Sequence, residues 1–133
     1  MWLAVQNVLS HLAAFIYIPL FGVVIRLMGY RFRDLKAFRQ KCLDHFREHP
    51  GSWLICANHL TLVDSVFLGY AMLPIWRYLF RYRWLPWNLP ERRNFNRNPL
   101  ETAACYLTKC IPVTRGGDRE EMRRTLDTCH HLL

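Results

Sequence analysis

Formal charge is missing from the first 25 residues of this 133-residue chain. Arg26, Arg31 and Arg33 then follow at once. That order excludes an ordinary secretory signal, in which positive charge precedes the apolar run. The five cysteines are scattered and contain no CxxC pair, so neither a disulfide framework nor a zinc ribbon is indicated. A reducing, cytosol-facing compartment fits them best. Internal repeats and low-complexity segments are also lacking, and the length suits one domain with a modest core. Acidic residues are few, 10 against 18 Lys and Arg, which leaves a net charge of +8.

What is abundant is apolar surface: 52% of residues are hydrophobic and 14% aromatic. Apolar and cationic together suit an anionic partner, either membrane headgroups or nucleic acid. LAAFIYIPLFGVVI (12–25) favours the membrane, since about twenty helical residues span a bilayer core. Gln6, Asn7, Ser10 and His11 weaken the first half of this segment, and Pro19 with Gly22 should kink the second. Residues 1–30 therefore read as a membrane-embedded helix, spanning or re-entrant. Residues 31–133 are then placed in the cytoplasm by the positive-inside rule. The competing reading is a buried helix of a soluble domain.

DLKAFRQKCLDHFREHPG (34–51) spaces Leu35, Phe38, Cys42 and Phe46 at helical intervals and stops at Pro50 and Gly51. SWLICA (52–57) reads as a short buried strand. Thr61 to Asp64 matches a capping box, so SVFLGYAML should be an apolar helix closed by Pro74. In IWRYLFRYRWLPW (75–87), Trp76, Tyr78, Phe80, Tyr82 and Trp84 alternate with Arg77, Leu79, Arg81 and Arg83. That period of two predicts a strand with an aromatic and a basic face. CIPV (110–113) reads as a further apolar strand, TRGG as a loop, and a last helix starts at 118–121. This order predicts an α/β fold around a mixed, partly parallel sheet with flanking helices.

Four constellations could carry chemistry. HFREH (45–49) matches a zinc-binding H-x-x-E-H pattern, but it lies on the polar side of its helix with no evident third ligand, so no metal is expected. Cys56 precedes His59 by three residues; inside an apolar run it reads as a small hydrophobe rather than a nucleophile. The basic, aromatic stretch around Arg77 to Trp84 could stack on single-stranded nucleic acid, yet no RNP or helix-turn-helix signature accompanies it. The last is NHLTLVD (58–64). His59 follows a predicted strand and precedes a helix start, the place where ligands gather in α/β sheets. Asp64 can cap that helix, or it can fix the tautomer of His59 and stabilise its imidazolium.

The run Asn58-His59-Leu60-Thr61-Leu62-Val63-Asp64 resembles the first block, N-H-x-S-x-x-D, of the PlsC-type glycerolipid acyltransferases. These include the lysophosphatidic acid and glycerol-3-phosphate acyltransferases. CIPVTRGG (110–117) resembles their second block, with Arg115 in the arginine place. The resemblance covers about residues 53–121. Thr61 stands where Ser is commoner, Lys109 in a place usually held by Gly, and Pro112 in that of an aromatic. A third block, a Phe-Pro-Glu-Gly-Thr-like run, is absent, so the resemblance implies an N-terminal portion of such a domain or a truncated member.

The resemblance implies transfer of a fatty acyl group to the hydroxyl of a lysophospholipid such as lysophosphatidic acid, in phospholipid biosynthesis. His59 would be the general base, a role worth roughly 10²–10⁴-fold, and Asp64 its orienting partner. Asn58, Thr61, Arg115 and Gly116 would bind substrate, with Arg115 on the acceptor's phosphate. Acyl-CoA or acyl-carrier protein would be the cosubstrate, with no tightly bound cofactor and no metal. Expected partners are membrane lipids, the acyl donor and the acceptor, with no nucleic acid. The rival is a truncated, non-catalytic membrane-associated protein that only binds lipid.

Overall fold

The computed structural model of the chain describes residues 2–57, 64–95 and 97–132. It is helical: α1 (Trp2–Leu27), α2 (Leu35–Glu48), α3 (Asp64–Met72), α4 (Ile75–Phe80), α5 (Arg92–Phe95), α6 (Pro99–Leu107) and α7 (Arg119–His130). A single 3-10 turn, Tyr82–Trp84, follows α4. Among the described residues there is no strand and no sheet, so the expected α/β fold is wrong. The chain divides into two compact units, residues 1–13 with 87–133, and residues 14–86, so that α1 contributes to both.

The three expected strands fail for different reasons. In residues 75–87 the alternation coexists with a helical pattern. Ile75, Tyr78, Leu79 and Tyr82 fall at i, i+3, i+4 and i+7, one helix face. Pro74 opens α4 with no N–H to lose, and Tyr78 and Tyr82 are 2% and 4% exposed. Trp76 and Phe80, which a strand would bury beside them, are exposed instead. Residues 52–57 are in neither helix nor strand and are exposed, Cys56 included. Residues 110–113 come nearest to a strand. They form two parallel bridges, Asn88 to Cys110 and Glu91 to Val113. A continuous ladder in that register needs an N–H from residue 90 to the Ile111 carbonyl, and Pro90 has none.

In residues 14–86 the core is Ala14, Ile18, Leu43, Met72, Leu73, Tyr78 and Tyr82. Its polar tips are satisfied: the Tyr78 hydroxyl donates to the Gly69 carbonyl at 2.7 Å, and the Tyr17 and Tyr82 hydroxyls lie 3.0 Å apart. α2 occupies the stretch read as amphipathic, although its buried residue is Leu43. Arg39 on α2 donates to the Tyr70 carbonyl at 2.6 Å and stands over the Tyr70 ring. Gly22 is small because the Ile75 side chain occupies the space a Cβ would need.

In the other unit, α6 and α7 are capped by their sequence. Asn98 accepts from the Glu101 N–H at 2.9 Å, and Asp118 from the Glu121 N–H at 2.7 Å. Gln6 of α1 closes the unit. Its Nε2 donates to the Tyr106 and Cys110 carbonyls, each at 3.1 Å, and so reaches one of the last carbonyls of α6, which have no partner inside their own helix. Gln6 is 1% exposed.

α1 is long and apolar enough to cross a membrane, with a mean hydropathy of 2.2 over its apolar window. Its 26 residues continue through Pro19. At about 1.5 Å per residue they reach about 39 Å, against roughly 30 Å of bilayer hydrocarbon. Only 28% of that window is buried, whereas a core helix of a soluble protein is mostly buried.

The Gln6 contact makes a direct prediction. Gln6→Leu removes one donor group and strands two carbonyls, which should cost about 2–4 kcal/mol. Hydrogen exchange at the amides of residues 105–111 should accelerate accordingly, and unchanged protection would show that the clamp contributes nothing.

Candidate functional site

The residues singled out in the sequence divide between the units. Asn58, His59 and Thr61 lie outside the described residues. Asp64 is in the first turn of α3 and half-buried. Arg115 and Gly116 belong to the other unit, on the loop between the bridged segment and α7.

That loop is built by short-range chemistry. Gly116 has φ of 66°, the left-handed region where a side chain is strained. The Gly117 N–H returns to the Thr114 carbonyl at 3.3 Å and closes the turn. A Cβ at Gly117 would meet Glu121 Oε2 at 2.9 Å and the Thr114 carbonyl at 3.2 Å, so the second glycine answers to crowding. Thr114 Oγ1 donates to Glu121 Oε1 at 2.9 Å, and the Arg92 guanidinium faces the same oxygen at 3.6 Å. The acidic start of α7 is thus already engaged with neighbours and with its own cap.

Arg115 is held by Glu91. The Arg115 backbone N–H donates toward both carboxylate oxygens, at 3.2 and 3.4 Å, and its Nε lies 3.4 Å from Glu91 Oε2. The Arg115 side chain is nevertheless 85% exposed, while that of Glu91 is 12% exposed. An exposed guanidinium can meet a phosphate through two parallel N–H bonds. Glu91 orients it and also competes for it. The sequence reading missed Glu91. The signal was a lone acid inside the basic run PERR, 24 residues before Arg115 and joined to it through the Val113 bridge.

Lys109, just before the bridged segment, has φ of 55° and is 2% exposed. Its ammonium stands 5.1 Å from the Trp87 ring centroid. Burial pulls its pKa down to about 8. The remaining motifs engage in local packing. His45 lies 4.7 Å, centre to centre, from both His49 and Trp53. Arg77 stands over Trp76 and Arg81 over Trp84. Among the described residues, no three His, Cys, Asp or Glu side chains gather where they could hold a metal ion.

No known protein family, curated protein or solved structure matches the chain.

Lys109 gives a pH test. Its folded pKa of about 8 lies below the ordinary 10.5, so between these values the unfolded chain holds the extra proton. Stability then rises with pH across that window, by about 3 kcal/mol in total. Burial raises the thiols of Cys42, Cys105, Cys129 and Cys110, the last to about 11, which acts in the opposite direction above pH 9. Comparison with Lys109→Met cancels that contribution. Denaturant melts from pH 7 to 10.5 should show the parent gaining about 3 kcal/mol on the variant. A difference independent of pH would contradict the assignment.

Proposed function

We propose that the chain carries the acyl-transfer centre of a PlsC-type glycerolipid acyltransferase. The single observation that carries this reading is the pairing of NHLTLVD with CIPVTRGG in that order, the first ending on a helix start and the second on a glycine turn before α7. Two details add support. Lys109, where the family usually has Gly, adopts a left-handed backbone that Gly takes most easily. Arg115, in the family's arginine place, presents an exposed guanidinium.

In this reading the acceptor's hydroxyl attacks the thioester carbonyl of acyl-CoA or acyl-carrier protein. His59 takes the hydroxyl proton as the C–O bond forms, and the imidazolium returns it to the departing thiolate as the C–S bond breaks. Asp64 holds the imidazole in the productive tautomer and stabilises its charged form. Asn58, Thr61 and Gly116 line the substrate, and Arg115 binds the phosphate of a lysophospholipid such as lysophosphatidic acid. Both reactants carry long acyl chains. The exposed apolar face of α1, including Val5, Val8, Leu12, Ile16 and Leu20, would sit in the bilayer. Arg26, Arg31 and Arg33 would keep the remainder on the cytoplasmic side.

Radiolabelled acyl transfer to lysophosphatidic acid, with the chain in phospholipid bicelles, tests this. His59→Ala should lower turnover by about 10²-fold or more. Asp64→Asn should cost nearly as much while moving stability by only about 1 kcal/mol, the worth of a helix cap. Arg115→Ala should raise the acceptor KM far more than the donor KM, with Arg115→Lys falling between. A parent that binds the lysolipid without turning it over would favour the lipid-binding rival. A His59→Ala chain within a few-fold of an active parent would end the general-base assignment.

A further inference from the structure

We propose that α1 lies in the plane of one leaflet of an anionic phospholipid bilayer, rather than across it, with its exposed apolar face on the acyl chains. The inference rests on the part of the proposed function that sets α1 in a bilayer, and not on acyl transfer. The apolar run 12–25 is centred near Ile18. An upright α1 would hold that centre at the bilayer midplane, about 15 Å from the headgroups on either side.

What packs beside that centre is charged. Ala14 and Ile18 share one core with Leu43 of α2, Tyr78 of α4 and Tyr82 of the turn after it. The Tyr17 and Tyr82 hydroxyls lie 3.0 Å apart, and the Ile75 side chain fills the space beside Gly22. These contacts hold α2 and α4 alongside the middle of the apolar run. Lys41 and Arg47 flank Leu43, Arg81 and Arg83 flank Tyr82, and all four are exposed. Lys41, Arg81 and Arg83 take no part in the ion pairs formed among the described residues. Ionisable groups at membrane depth face a protein interior or a watery cavity, and they are paired. These face outward, and from the midplane the headgroups are further away than a snorkelling side chain reaches. With α1 flat, the same groups can lie at the headgroups or in water.

The exposed face of α1 suits that placement. Val8, Leu12, Ile16, Leu20 and Leu27 succeed one another along nearly the whole helix, and an in-plane helix buries such a face at the boundary of headgroups and acyl chains. Charge selects the lipid. Arg26, Arg31 and Arg33 are exposed at the end of α1, and they too stand outside the ion pairs among the described residues. Residues 14–86 carry ten Lys and Arg against four Asp and Glu, an excess that an anionic leaflet attracts.

The test places a coumarin amino acid at Val8, Ile16 or Leu27 of the full chain, in vesicles of phosphatidylcholine with phosphatidylglycerol. Depth is read from quenching by lipids brominated at shallow or deep acyl positions. We expect one common depth at the three sites. An upright helix would instead separate 8 from 16 by about 12 Å and 16 from 27 by about 16 Å along the membrane normal. Deep quenching at 16 with shallow quenching at 8 and 27 would therefore overturn the proposal. Absence of quenching at all three would overturn it together with the bilayer placement of α1. If the substituted chains misfold, flotation of the parent decides. It should favour vesicles containing phosphatidylglycerol over pure phosphatidylcholine by at least about tenfold, which two arginines at the surface would supply, and high salt should erase the preference. Equal partition would overturn the anionic leaflet. Neither readout depends on turnover, so a chain that lies flat without transferring acyl groups upholds this inference and ends the acyltransferase reading alone.

Discussion

One side chain joins the two ends of this sequence. Gln6 donates to carbonyls 100 and 104 residues away, and without it the last turn of α6 and the segment after it would hold buried carbonyls with no donor. An apolar residue in its place would suit α1 as a membrane helix, but it would not hold the C-terminal unit. The helix resolves this by dividing its surface. Gln6, Ser10, Ala14, Ile18 and Gly22, four residues apart, are buried, while Val5, Val8, Leu12, Ile16 and Leu20 are exposed. Of the polar residues that weaken a membrane segment, Gln6 and Ser10 lie on the face that protein covers, His11 is half-buried and Asn7 is exposed.

The Arg115 loop shows a related economy of local chemistry. Two parallel bridges hold residues 110–113 against 88–91, and the glycine turn then brings the chain directly into the Asp118 cap of α7. Glu91 orients Arg115 from that neighbouring segment rather than from the loop itself. An arginine held by an acid yet largely exposed suits an anion that binds and leaves. In the proposed function that anion is the acceptor's phosphate, and exchange between Glu91 and phosphate would keep the guanidinium from binding product too tightly.

Much of this was legible in the sequence wherever the signal was local. The charge-free N-terminus and the period of 34–51 correspond to α1 and α2, and the loop at TRGG with the helix start at 118 lie where their residues place them. What failed was the inference of a sheet, because strand pairing is a long-range property. The aromatic alternation of 75–87 shares Tyr78 and Tyr82 with a helical face, and a period of two is not decisive when a period of 3.6 passes through the same anchors. At 110–113 the register is parallel, but a single proline on the opposite segment removes the rung that would have made it a ladder. Glu91 and Gln6 could not be read as partners of Arg115 and α6, since nothing in the sequence fixes contacts across 24 and 100 residues.

The division of α1 into a protein-covered face and an exposed apolar face, which the proposed function sets in the bilayer, is tested most directly by a nitroxide scan of residues 5–27 in phospholipid bilayers, read as accessibility to oxygen and to a water-soluble nickel complex. The expected result is a helical period, with oxygen accessibility high at 5, 8, 12, 16 and 20 and low at 6, 10, 14 and 18, and with the nickel complex excluded throughout the centre. High nickel accessibility along 8, 12 and 16 would place that face in water and contradict it.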